Sequence, residues 1–255
     1  MTAISTYQGQ IRRDDRPMDH RIGLVALATD HTTEPDFHRI LSPRGIGVYT
    51  TRIPFANPVT PETLAAMAGD VTDAAALILP DEPLDAVVYS CTSASVVIGD
   101  QAVRDAITAG KPGTVAITPI SAGFAGLRAL GAQRITLLTP YKPETTAPMA
   151  ACFEDAGFTL QGVACLGLTD DRDMARLSPD TIVETAQASR ASGSEAIFIS
   201  CTAVRAAGVI DRIEAATGIP AVSSNYATAW AVLRTCGIAE AGAPGRLMRL
   251  PMVAT

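Results

Sequence analysis

Short apolar runs alternate along the chain with longer stretches in which apolar residues recur every three or four positions, the pattern of buried parallel strands joined by amphipathic helices. Residues 21–27 form the first run, and a polar turn carries it to a helix start at Thr33, Glu34 and Pro35. Residues 47–53 are rich in β-branched side chains, which predicts a second strand closed by Pro54 and Pro58. Over 60–79 the spacing becomes helical: Thr60, Pro61 and Glu62 cap the start, and Leu64, Met67, Val71, Ala74, Ala75 and Ile78 share a face. A third strand ends at Ser90-Cys91-Thr92. A helix over 96–109 follows, Gly110-Lys111-Pro112 stops it, and residues 114–118 supply a fourth strand.

After a short helix over 120–130 the order begins again. Strand-like runs at 134–139, 159–166, 197–201 and 220–223 stand in the same succession, and Ser178-Pro179-Asp180 opens a helix to 191 as Thr60-Pro61-Glu62 opened its counterpart. Alternation of strand and helix, carried out twice, predicts an α/β fold of two pseudo-symmetric lobes, each a doubly wound parallel sheet with right-handed crossovers. The expected division is an N-terminal arm over 1–20, a first lobe over 21–118 completed by about 226–255, and a second lobe over 119–225, with the active site between the lobes. The stretch from Asn225 through Trp230 to Leu233 reads as a mostly apolar core helix.

The repetition is most literal at two strand ends. Val88-Tyr89-Ser90-Cys91-Thr92-Ser93 and Phe198-Ile199-Ser200-Cys201-Thr202-Ala203 each deliver Ser-Cys-Thr to the carboxyl end of a buried strand, with the cysteines 110 positions apart. Ligands bind at such ends, so facing lobes would set Cys91 and Cys201 on opposite walls of one cleft. Inert packing is the commoner fate of a cysteine, and Cys152, Cys165 and Cys236 read that way. The hydroxyl residues around Cys91 and Cys201 have no place in that reading.

A thiol between a strand end and a helix start meets free amides and the positive end of the helix dipole, which favour thiolate. Preferential alkylation of Cys91 or Cys201 near neutral pH is therefore expected. Small and hydroxylic neighbours, Thr92, Ser93 and Thr202 among them, let the backbone approach a bound anion. Two opposed acid–base groups can remove a proton from one face of a carbon and return it to the other. Alternatively, one thiolate adds to an activated double bond while the other thiol supplies the proton and the bond rotates. Neither route needs a cofactor.

Composition narrows the partners. A net charge of −6 argues against nucleic acid and anionic membrane and for a small molecule. The start of the chain is polar, no apolar run reaches the length of a membrane span, and five cysteines are an odd number without a secretory signal, so a cytosolic protein with reduced thiols is expected. Three histidines (His20, His31, His38) and no Cys-x-x-Cys give no reason to expect a metal.

With its paired Ser-Cys-Thr strand ends, the chain resembles the aspartate/glutamate racemase superfamily over about residues 20–250, and within it the branch of maleate cis-trans isomerase and arylmalonate decarboxylase. The resemblance implies two α/β lobes, a small carboxylate substrate held by Thr92 and Ser93, a second carboxylate contact from Tyr141 in Thr139-Pro140-Tyr141, and a homodimer or higher homo-oligomer. Decarboxylases of the branch keep only the second cysteine, so both cysteines together imply isomerisation or racemisation. Two substrate-binding asparagines of maleate isomerases fall on Asp30 and Asp171, which moves the expected substrate from maleate toward a compound with an ammonium or amide group. An aspartate at position 30 equally suits a helix N-cap, and one at 171 a solvated loop. The pattern is nearest to ectoine-utilisation members of the branch, which implies an amino-acid or ectoine-derived substrate. A maleate-type isomerase working through a covalent adduct and a metabolite-binding protein on the same scaffold are the alternatives.

Overall fold

Seven consecutive buried positions make β1 (His20–Leu27) a central strand, because only a strand covered on both faces carries so long an apolar run. The computed structural model describes residues 2–55, 57–239, 242 and 244–252. The first half continues with α1 (Thr33–Leu41), β2 (Ile46–Ile53), α2 (Pro61–Ala65), α3 (Val71–Ala76), β3 (Ala86–Tyr89), α4 (Thr92–Ile98), α5 (Asp100–Gly110) and β4 (Val115–Ile117). After α6 (Pro119–Ala129) come β5 (Arg134–Thr139), α7 (Pro143–Asp155), β6 (Thr159–Cys165), α8 (Asp171–Ala175), α9 (Pro179–Ser189), β7 (Ala196–Ile199), α10 (Ile210–Thr217), β8 (Ala221–Ser223) and α11 (Ser224–Thr235). The sheets run β2-β1-β3-β4 and β6-β5-β7-β8, every neighbour parallel. Identical strand orders make the two α/β lobes pseudo-symmetric copies.

Three helical stretches differ from the sequence pattern. The helix expected over 60–79 is α2 and α3 separated by a 3-10 turn at Ala66–Asp70. The one expected over 96–109 starts earlier, at Thr92, and breaks at Gly99, whose φ of 99° lies where a side chain is strained. Helix α7 carries Pro148 in its interior, which hides it from a reading that treats proline as a helix terminator.

Each half ends in a helix that lies over the other half. On α6, a Cβ added to Gly123 would meet the Phe198 ring at 2.6 Å, so glycine is what lets this helix settle on β7. Helix α11 packs against α1, β3 and β4 of the first half as well as against α6; its Trp230 and Leu233 are fully buried. Asn225 at its start donates to Asp36 of α1 at 3.0 Å.

Residues 2–19 form neither helix nor strand up to β1 and are exposed apart from half-buried Met18. Of the segments expected to form the arm and to complete the first lobe, residues 1, 240, 241, 243 and 253–255 lie outside the described residues. Among the described residues no helix is long and apolar enough to cross a membrane.

Candidate active site

The two cysteine-bearing strand ends abut. Ser90 N–H donates to Val25 at 2.8 Å and Ser200 N–H donates to Leu138 at 2.9 Å, so each chain leaves its sheet one residue before the cysteine. The Thr202 hydroxyl then donates to the Ser90 carbonyl at 3.2 Å. The residue after one cysteine is thereby bonded to the residue before the other. Both thiols are buried, each 6% exposed.

Their backbones are not equivalent. Cys91 is extended, with φ of −153°, and precedes the first residue of α4. Its sulfur faces the Ala94 N–H and lies 3.7 Å from the Ser93 hydroxyl. Cys201 has φ of 88°, a left-handed conformation that costs a non-glycine residue energy. A turn and a 3-10 segment, Arg205–Gly208, follow it, and α10 begins only at Ile210. The expectation of a helix start behind each thiol holds for Cys91 and is corrected for Cys201. In place of a helix, Cys201 faces the Ala203 N–H and the Tyr141 phenol, and its sulfur lies 3.8 Å from the Met174 thioether.

Burial pushes the Cys91 thiol up to about 12, with the charges of Asp171 and Asp30 adding to it against the Ala94 amide and Ser93 hydroxyl. Burial and Asp171 drive Cys201 up as well. At both thiols desolvation outweighs the neighbouring amides and favours the neutral form, against the expectation of ready thiolates. A second correction concerns Cys165, expected in the core but exposed. It ends the edge strand β6, whose alternate residues face outward. Cys152 is half-buried and Cys236 buried.

Asp30 is turned into the protein. One carboxylate oxygen accepts from the Thr32 and Thr33 amides at 2.7 and 2.9 Å, and the other from the hydroxyls of Thr33 and Ser90 at 2.6 and 3.0 Å. Four donors saturate it, the capping role that suits aspartate before a helix. It fixes Ser90, and through Ser90 the start of the Cys91 turn.

Asp171 is buried, and its charge raises both thiols. The Thr29 hydroxyl reaches it from the first half at 2.8 Å. Burial pushes its carboxyl up to about 6, against the Thr29 hydrogen bond, and nearby Asp30 adds to the rise. Its neighbour Asp170 is held down to about 2 by the Arg172 side chain and amide. The Asn57 side chain straps this loop to the first half, donating to Asp170 at 3.0 Å and accepting the Asp171 N–H at 3.1 Å.

Tyr141 is buried, with its phenol 3.5 Å from the Ser200 hydroxyl, and burial raises its pKa well above the ordinary value. Thr92 donates to Ser224 at 2.7 Å, so its proton is committed to α11, as that of Thr202 is to Ser90. Asn225 bridges the halves by donating to Asp36 and, at 2.9 Å, to the Thr202 carbonyl. Sequence reasoning missed Thr29, Asn57, Met174 and Asn225 as parts of this site. The one available signal was Asn225, an amide in the first turn of an otherwise apolar helix.

The protein family described as arylmalonate decarboxylase matches residues 55–248. Maleate isomerase of Nocardia farcinica is 30% identical over 244 residues, spanning 90% of this chain and 95% of that protein. Arylmalonate decarboxylase of Bordetella bronchiseptica is 32% identical over 122 residues, 47% of this chain and 51% of that protein. The solved structure of a mutant of the Nocardia farcinica maleate cis-trans isomerase with a covalently bound succinylcysteine intermediate superposes with a TM-score of 0.82 at 27% identity, covering 90% of this chain and 98% of that one.

Proposed function

The chain belongs to the arylmalonate decarboxylase family, and from that premise we propose that it is a cofactor-independent isomerase using Cys91 and Cys201 as paired acid–base groups on a small carboxylic acid. The observation that carries this reading is the Thr202–Ser90 hydrogen bond, which joins the two Ser-Cys-Thr strand ends. One sulfur, as thiolate, takes the proton from the carbon next to the substrate carboxylate; the opposite thiol returns a proton to the other face, and the centre inverts. Ser93, Tyr141 and the amides beside both cysteines hold the carboxylate. Thr92 and Thr202 shape the walls, while Asp30 fixes the Ser90 turn.

Asp171 gives the finer reading. Its charge opposes ionisation of both thiols, so a substrate ammonium set against it cancels that field and lowers the cost of forming a thiolate. A dicarboxylate would do the reverse. The substrate is therefore an amino-acid derivative, of which an opened ectoine is one example. Five free cysteines support a cytosolic setting, and a homodimer is the assembly the family resemblance implies.

A second reading, thiolate addition across a cis double bond, is favoured by the succinylcysteine found in the Nocardia farcinica relative. Incubation in deuterated water with amino-acid and ectoine-derived compounds, maleate serving as control, separates the two. Deuterium at the inverted carbon without an adduct supports the racemase; a cysteine adduct with conversion of maleate supports the second reading. Turnover intact in both Cys91→Ala and Cys201→Ala would sink both.

A further inference from the structure

Three side chains far apart in the chain converge at the amino edge of the first sheet, the end away from the thiols. His20 opens β1, Asp85 immediately precedes β3, and Cys236 follows α11. One ligating atom from each lies within 4.8 Å of the other two. His20 Nδ1 is 3.7 Å from Asp85 Oδ1, and it is buried with no hydrogen-bond partner among the described residues. The other Asp85 oxygen already accepts the Arg21 N–H at 2.8 Å, which leaves Oδ1 facing the histidine. In an acid–base relay a histidine uses its two ring nitrogens toward two different partners. Here the three groups gather at one place, as ligands do.

We propose that His20, Asp85 and Cys236 form a three-ligand site for a divalent cation of the zinc class, with water as the fourth ligand. One sulfur, one imidazole nitrogen and one carboxylate oxygen make a borderline donor set that suits zinc and its neighbours, whereas calcium and magnesium call for oxygen. Thiolate and carboxylate together balance the charge of the ion. Bond lengths of about 2.0–2.3 Å require the donors to draw in by roughly 1 Å. His20 and Asp85, with side chains 32% and 30% exposed, have room to do so. Without a cation, burial and the Asp85 charge hold Cys236 as a thiol, up to about 11. On binding, its S–H bond breaks, a sulfur–metal bond forms, and the proton leaves to solvent. The ion would clamp the end of α11 to the starts of β1 and β3, a structural task remote from the cysteine pair.

The test is titration of the chelator-treated full chain with Co²⁺, followed by absorption. One equivalent should bind with a thiolate-to-cobalt charge-transfer band. The Cys91→Ala/Cys201→Ala double variant should keep that band, and Zn²⁺ should displace it. Cys236→Ser should abolish it. His20→Ala should weaken binding by more than the about 10- to 100-fold that a lost outer-shell contact costs, and Zn²⁺ should raise the melting temperature of the parent but not of this variant. If Cys236→Ser does not fold, the half-exposed His20→Ala decides alone. Absence of the band in the parent, or its survival in Cys236→Ser or undiminished in His20→Ala, overturns the proposal.

Discussion

Thr29 of the first half donates a 2.8 Å hydrogen bond to Asp171 of the second, so the carboxylate whose charge raises both thiols is pinned from the other half of the chain. Its burial makes ionisation costly. That cost is measurable in two independent ways.

The first is stability. Asp171 titrates near 6 when folded, above its ordinary 3.8, so the native state binds the proton more tightly than the unfolded chain. The stability this confers is fully present below about pH 4 and is lost as pH rises through about 6. Asp171→Asn removes the loss while keeping an acceptor for Thr29. The variant should exceed the parent by about 2–3 kcal/mol near pH 8, at 1.36 kcal/mol per pKa unit, with the gap closing near pH 4. Urea midpoints at both pH values check this; a pH-independent gap would contradict it.

The second is specificity. Asp171→Asn should lower kcat/KM for an ammonium-bearing substrate by about 10- to 100-fold, the worth of a charge-assisted hydrogen bond. The same change should raise turnover of a dicarboxylate such as maleate. Parallel loss on both substrates would remove Asp171 as the discriminating group.

Alkylation should follow exposure. With Cys91 and Cys201 buried and held as thiols, iodoacetamide near neutral pH should label exposed Cys165 first, and Cys165→Ser should abolish the fast phase. Peptide mapping over time gives the order. Cys91 or Cys201 labelled ahead of Cys165 would mean that the closed arrangement is not the resting one.

The left-handed backbone at Cys201 sets a trade between stability and function. Cys201→Gly should be more stable than Cys201→Ala by about 1 kcal/mol, since glycine adopts positive φ without cost. At Cys91, whose φ is −153°, the order should reverse. Thermal unfolding of the four variants tests the pair, and the same order at both sites would defeat the explanation.

Tyr141 faces the Cys201 sulfur and lowers its pKa. Tyr141→Phe should reduce kcat about 10-fold, the worth of one hydrogen bond to a charged group, and move the thiol-dependent limb of the pH–rate profile upward. A lower kcat with an unmoved profile would limit Tyr141 to binding.

The succession of strands along the chain and both cysteine positions were legible because buried parallel strands write themselves as apolar runs, and duplication wrote them twice. Pro148 hid α7, and Gly99 divided a helix whose apolar spacing continues across it. At the site, hydroxyls near Cys91 and Cys201 marked the walls. The thiols' protonation did not follow from them, because desolvation depends on what covers a group. Asn57, Thr29 and Asp171 meet only when the halves close, through contacts more than 100 residues long in sequence. His20, Asp85 and Cys236 escaped for the same reason.

Helix α11 lies far beyond β3 and β4 along the chain, yet it packs on both. Until Ser224–Thr235 has been made, β3 and β4 lack this packing partner and the Asp36 carboxylate lacks its Asn225 donor. Domains ordinarily fold in the order in which they emerge. Here the first half waits for α11, so the two halves complete their packing together.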